Sequence, residues 1–151
     1  MNPLTDTWHI HNNINLYLLE RIDEAHLTDS PASKGRTVGE QFAHMHNVRL
    51  MWLKVAAPEL LESLAKIEKE KITTTLLKDE LKLSGLAIEN LFEKTPADGK
   101  IKGFKPHATA FLGYLVSHES HHRGQIMLAL KQSGHMVDQK TQYGIWEWGV
   151  R

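Results

Sequence analysis

The chain contains no cysteine, which excludes disulfides, thiolate metal sites and a cysteine nucleophile together. Neither charge sign is in excess: 18 Lys plus Arg balance 18 Asp plus Glu. That balance argues against a broad basic footprint for nucleic acid and against a polybasic membrane anchor. Long apolar runs are also missing. The longest, Ala108 to Val116, falls far short of the roughly 20 residues a membrane span needs. Met1-Asn2-Pro3-Leu4-Thr5-Asp6 shows no basic stretch leading into an apolar one, so no signal peptide is expected. A cysteine-free chain is compatible with the cytoplasm, and a cytoplasmic location is the expectation. No alternating strand pattern, internal repeat or low-complexity linker appears.

The patterns that do appear are helical. A length of 151 residues suits a single domain, residues 1–151, with one core. Ile10, Ile14, Tyr17, Leu18 and Ile22 recur at three- and four-residue steps and predict a first helix from about Leu4 to Ala25, broken at Asp29-Ser30-Pro31. Thr37 with Glu40 three residues later reads as a capping box. It opens a second helix from Val38 to Ala56, carrying Phe42, Met45, Val48, Met51, Trp52 and Val55. Pro58 breaks it, and Glu59 to Glu68 is expected to form a short helical extension. Hydroxyl caps at Thr73, Thr74 and Thr75 precede a third helix ending near Lys94. A fourth runs from about His107 to Gln132 and stops at Gly134. An aromatic tail with Tyr143, Trp146 and Trp148 follows. The expected fold is all-α: an antiparallel four-helix bundle with a short aromatic C-terminal extension.

Ten histidines are about three times an ordinary share for this length. The fourth helix reads His118-Glu119-Ser120-His121-His122-Arg123-Gly124-Gln125. Residues four apart lie about 40° apart in projection and about 6 Å apart along the axis, so two imidazoles at this spacing reach one ion from one face. In a histidine-rich chain such a pair also arises by chance, so its position carries the argument. His118 shares a face with Phe111, Tyr114 or Leu115, and Gln125 or Ile126, and so is expected to point toward the core. The second helix contributes Gln41-Phe42-Ala43-His44-Met45-His46. Residues two apart point to nearly opposite sides of a helix, so one of His44 and His46 faces the fourth helix; periodicity does not say which. Three imidazoles with an open position form the arrangement of a catalytic zinc or nickel site.

Val38-Gly39-Glu40-Gln41-Phe42-Ala43-His44-Met45, followed by Trp52-Leu53, resembles the second-helix motif of the DinB-like (YfiT-like) family. His118, three residues, then His122-Arg123-Gly124-Gln125 is similar to that family's fourth-helix motif, and the aromatic tail is similar as well. The resemblance implies that His44, His118 and His122 are the metal ligands, and it leaves His46 and His121 outside the set. It also implies one divalent metal ion, zinc or nickel, and a homodimer. Characterised relatives include thiol S-transferases and isomerases that use a low-molecular-weight thiol, so the implied partner is a small molecule; the balanced charge and short apolar runs speak against nucleic acid and membrane.

Several neighbours have competing readings. Glu40 is a helix cap or a partner for the His44 imidazole. Arg123 pairs with a carboxylate to brace the fourth helix, or is solvated. Gly124 inside a helix costs about 1 kcal/mol relative to alanine, which close approach of another helix would explain. Gln125 bonds near the site or sits at the bundle edge. Trp52 and Trp146 wall a pocket or pack in the core. His9, His11, His26, His107 and His135 are expected in exposed or end positions. A ferritin-like di-iron site needs a second Glu-x-x-His pair beside Glu119/His122, and none is present. Two functional readings remain: a metal-dependent enzyme of thiol S-transferase or hydrolase type, with the thiol brought as cosubstrate, and a non-catalytic metal-binding or stress-related dimeric protein. A pocket beside the metal favours the first; a fourth ligating side chain favours the second.

Overall fold

The computed structural model describes Met1–Arg151, and its helices are joined by irregular segments with no β-strand. Asn2 caps α1 (Pro3–Glu20) by accepting from the Thr5 N–H at 3.0 Å, with Pro3 in the first turn. The helix ends five residues earlier than its apolar stripe predicts. The reason is local: the Asp23 carboxylate takes the Ala25 N–H at 2.9 Å and turns Glu24–Thr28 into a separate 3₁₀ segment. Thr37 caps α2 (Val38–Ala56), accepting from the Glu40 N–H. The reciprocal half of the capping box does not form. Pro58 ends α2, since it has no N–H to donate and restricts Ala57 before it. The expected extension over 59–68 shrinks to a 3₁₀ turn at Pro58–Leu61, with another at Lys69–Lys71. Thr73 caps α3 (Thr74–Glu93). His107 caps α4 (Ala108–Gln132) through its Nδ1, which accepts from Ala110. Gly134, at φ +81°, turns the chain out of α4, and the His135 N–H returns to the Leu130 carbonyl at 2.8 Å. The tail forms α5 (Gln139–Gly144). It packs back through Ile145 and Trp148, while Tyr143 and Trp146 face outward.

Four long helices form the bundle, in the packing order α1–α3–α2–α4. The antiparallel pairs are α1 with α3, where Glu20 meets Lys78 at one end and Asn2 meets Phe92 and Glu93 at the other, and α2 with α4, where Gln41 meets His122 and Trp52 meets Phe111. The 57–73 segment runs between the pairs along α2. It is held there by His46, which bonds the Ala65 carbonyl, and by Asn47, whose amide bonds both the N–H and the carbonyl of Ile67. No helix is long and apolar enough to cross a membrane.

The core divides into two apolar halves. One gathers Ile14, Leu18, Phe42, Met45, Leu81 and Ile126; the other gathers Trp8, Leu53, Ile88, Phe92, Phe111 and Leu115. Between them lies a buried polar layer of His11, Asn15, His46, Arg49, Ser84, Glu119, His122 and Arg123, with residues from all four long helices. Met51 and Val55, which the apolar stripe of the second helix places inward, are exposed instead, as is Leu86 on α3.

Candidate metal centre

One edge of the polar layer, between α2 and α4, holds three imidazoles. His44, His118 and His122 each offer a ring nitrogen, and these nitrogens lie within 4.8 Å of one another. His118 and His122 come from successive turns of α4 and bring their Nε2 atoms to 3.1 Å. Two nitrogens bound tetrahedrally to one ion at about 2.1 Å stand about 3.4 Å apart, so the pair is nearly at ligating separation. The His122 Nδ1–H donates to Gln41 Oε1 at 2.5 Å, which turns its Nε2 lone pair toward His118. The His118 Nδ1 is buried without a partner. The His44 ring meets His122 edge-on at 4.6 Å and His118 at 5.4 Å between centroids. Tyr114 lies nearly parallel to His118 one turn away.

The electrostatics keep these rings neutral near neutral pH. Burial lowers the His122 pKa from 6.5 to about 4, and repulsion from the His118 and His44 rings adds to it. Burial also lowers His44, with Arg36 contributing, and lowers His118 despite the adjacent Glu119 carboxylate. Neutral imidazoles present lone pairs, the form in which histidine ligates. No fourth His, Asp or Glu completes the group. A cavity of about 320 Å³ adjoins His44, lined also by Arg36, Glu40, Asn47, Lys66 and Glu68. Arg36 and Gln41 line a smaller cavity of about 230 Å³ with Gln125. This donor set fits a borderline divalent ion such as zinc or nickel.

His46 sits elsewhere. Its ring is fully buried, with Nε2–H donating to the Ala65 carbonyl at 2.7 Å and Nδ1 accepting from the Ser84 hydroxyl at 3.0 Å. His121 is exposed beside His122. Glu40 lines the larger cavity and bonds no imidazole. Arg123 braces the bundle through an amide rather than a carboxylate: it donates to Asn15 Oδ1 at 2.7 Å, and the Asn15 amide donates to Glu119. Gly124 faces open space, so close helix approach does not explain it. That role belongs to Gly85, where a Cβ would collide with the Asn12 side chain. Trp52 packs edge-on against Phe104, Phe111 and Tyr114, whereas Trp146 is exposed and outside the core.

Two buried groups escape a sequence reading. His11, expected at the surface, is fully enclosed beside Trp8 and 3.8 Å from Glu119. Arg49 and Glu119 form a buried ion pair at 2.5 Å, with Arg49 also donating to the Leu81 carbonyl and the Ser84 hydroxyl. Burial alone would raise the Glu119 pKa; the Arg49 charge, with the nearby His11 ring, outweighs it and holds the carboxyl at about 2. The one available signal was the position of Glu119, a glutamate one residue from a core-facing histidine.

The sequence model of the DinB family matches residues 2–147. The chain belongs to the DinB family. Two solved structures share its fold. A DinB-like protein of Bacillus subtilis superimposes with a TM-score of 0.64 at 20% identity, covering 89% of this chain and 94% of that one. A DinB-like protein of Bacillus cereus gives 0.69 at 17% identity, covering 89% and 93%. No curated protein matches the chain.

Acidification is expected to destabilise this DinB-family bundle well before its carboxylates titrate. An unfolded histidine takes a proton near 6.5, whereas folded His122 resists until about 4. His11 and His46 are likewise lowered, burial being the main cause. Between these values the unfolded chain binds more protons, so stability present above 6.5 is lost as the pH falls toward 4. Urea midpoints of metal-free protein across this range should fall steadily; a flat profile would contradict the burial of these rings.

Proposed function

We propose that His44, His118 and His122 hold one divalent metal ion, zinc or nickel, and that this DinB-family protein is a metal-dependent enzyme acting on small molecules. The supporting observation is the convergence of three neutral imidazoles from α2 and α4 with no fourth side chain and a cavity alongside. When bound, such an ion supplies a positive charge that acidifies a water or thiol at its open position and polarises an electrophile.

The chain's own residues supply the rest. Gln41 fixes the His122 ring so that Nε2 faces the site. Arg36, between the two cavities, places a positive charge where an anionic group of a substrate would lie. The larger cavity reaches the lower end of the range for small-ligand sites. A thiol nucleophile has to arrive as cosubstrate, since the chain has no cysteine. A thiol S-transferase or hydrolase reading therefore ranks above a purely metal-binding role, which a sealed site would favour. A homodimer, carried by the family resemblance, and a cytoplasmic location, with which the absence of cysteine is compatible, belong to the same reading.

The test is metal content. Purified wild-type protein is expected to carry one equivalent of zinc or nickel, and His122→Ala to carry none at this site while remaining helical by circular dichroism. Equal metal in the two proteins would sink the assignment. A thiol-transfer screen on the metal-loaded protein, with several low-molecular-weight thiols and electrophiles, then separates enzyme from binder.

A further inference from the structure

A second set of ligating side chains lies where α4 ends, and it shares no residue with the three-histidine cluster. His26 and Asp29 belong to the segment after α1, and His135 follows Gly134. One donor atom from each lies within 4.8 Å of the others.

The backbone holds all three in place without any ion. The His135 N–H bonds the Leu130 carbonyl, the Asp29 N–H bonds the His26 carbonyl at 3.1 Å, and the Asp29 carbonyl accepts from Val38 at 2.8 Å. Among the side chains, His135 Nδ1 meets Asp29 Oδ2 at 2.6 Å. The His26 ring lies flat on His135, centroids 3.6 Å apart and planes 5° from parallel. His26 makes no side-chain hydrogen bond and is half-buried, so both its nitrogens are free. Both histidines line a cavity of about 340 Å³, with Asp23 and Asp138 in the same wall. Those two aspartates cap the Glu24–Thr28 turn and α5, so their carboxylates are already engaged.

We propose that His26, Asp29 and His135 form a second divalent-metal site, for a first-row transition ion such as zinc, which clips the segment after α1 to the end of α4. Two imidazoles and a carboxylate are a donor set of that class. Stacked rings keep their lone pairs in parallel planes, so one ion cannot lie in both planes at once. Binding turns the unbonded His26 ring out of the stack, and the Asp29–His135 contact opens to admit the ion. With three protein ligands, water completes the coordination, which makes this an exchangeable site. The proposal does not rest on the three-histidine reading.

Zinc titration calorimetry on the full chain tests it. The His118→Ala/His122→Ala protein is expected to bind one equivalent of zinc. Adding His26→Ala and His135→Ala should remove that equivalent, and Asp29→Asn alone should weaken it. His26→Gln with His135→Gln, closer in size, repeats the test should the alanine variant fail to fold. No zinc binding by His118→Ala/His122→Ala, or binding that survives loss of His26 and His135, overturns the proposal. A wild type whose only equivalent vanishes with His26 and His135, yet survives loss of His118 and His122, upholds this site and defeats the first.

Discussion

Truncating Arg49 to alanine is expected to cost about 3–5 kcal/mol, the penalty for leaving a buried carboxylate without its counter-charge. Glu119 is enclosed on every side and keeps its low pKa mainly because Arg49 is there. The same truncation strips a donor from the Leu81 carbonyl and the Ser84 hydroxyl, and removes the cation from above the Trp8 ring. Domains of this kind have only about 5–15 kcal/mol in hand, so Arg49→Ala should lie near the edge of folding. Replacing both partners, as Arg49→Met with Glu119→Leu, removes the uncompensated charge, and apolar substitution of a buried pair is often close to neutral. The double variant should therefore cost less than the sum of the two singles. Urea unfolding of the four proteins reads the coupling; strictly additive losses would mean that the pair does not act as a unit.

The second large effect separates two histidines two residues apart. His44→Ala is expected to abolish metal binding at the three-histidine site and leave the fold nearly intact, because the His44 side chain makes no hydrogen bond and is only half-buried. His46→Ala is expected to do the reverse. It deletes a ring that accepts from Ser84 and donates to the Ala65 carbonyl, stranding buried polar groups at about 1–3 kcal/mol and loosening the 57–73 segment from α2. Metal stoichiometry and the urea midpoint measured on both variants should move in opposite patterns. Metal loss in His46→Ala with a native unfolding curve would exchange their roles.

These two experiments bear on the parts of the molecule that local pattern describes least well. The α2 boundaries follow from Thr37 and Pro58, whose effects act within a turn of their own position. The His118/His122 pair is equally local, since helical geometry alone sets its spacing. His44 and His46 are different. Each fits a helix face, and what distinguishes them is what stands opposite: the α4 imidazoles for one, Ser84 and Ala65 for the other. Arg49, between Val48 and Leu50 in the chain, looks like any helical charge until a carboxylate 70 residues away is brought against it.

From the residues in order came the four long helices, the Thr37 and Thr73 caps and the two histidines one helical turn apart. Those features depend on hydrogen bonds and apolar spacing within a few residues, which any short stretch of chain carries. The polar layer that divides the core, the inward turn of His11, the choice of neighbour for His46 and the approach of His44 to α4 arose from packing. Each depends on desolvation and pairing between groups far apart in the chain, and an isolated helix has no means of expressing either.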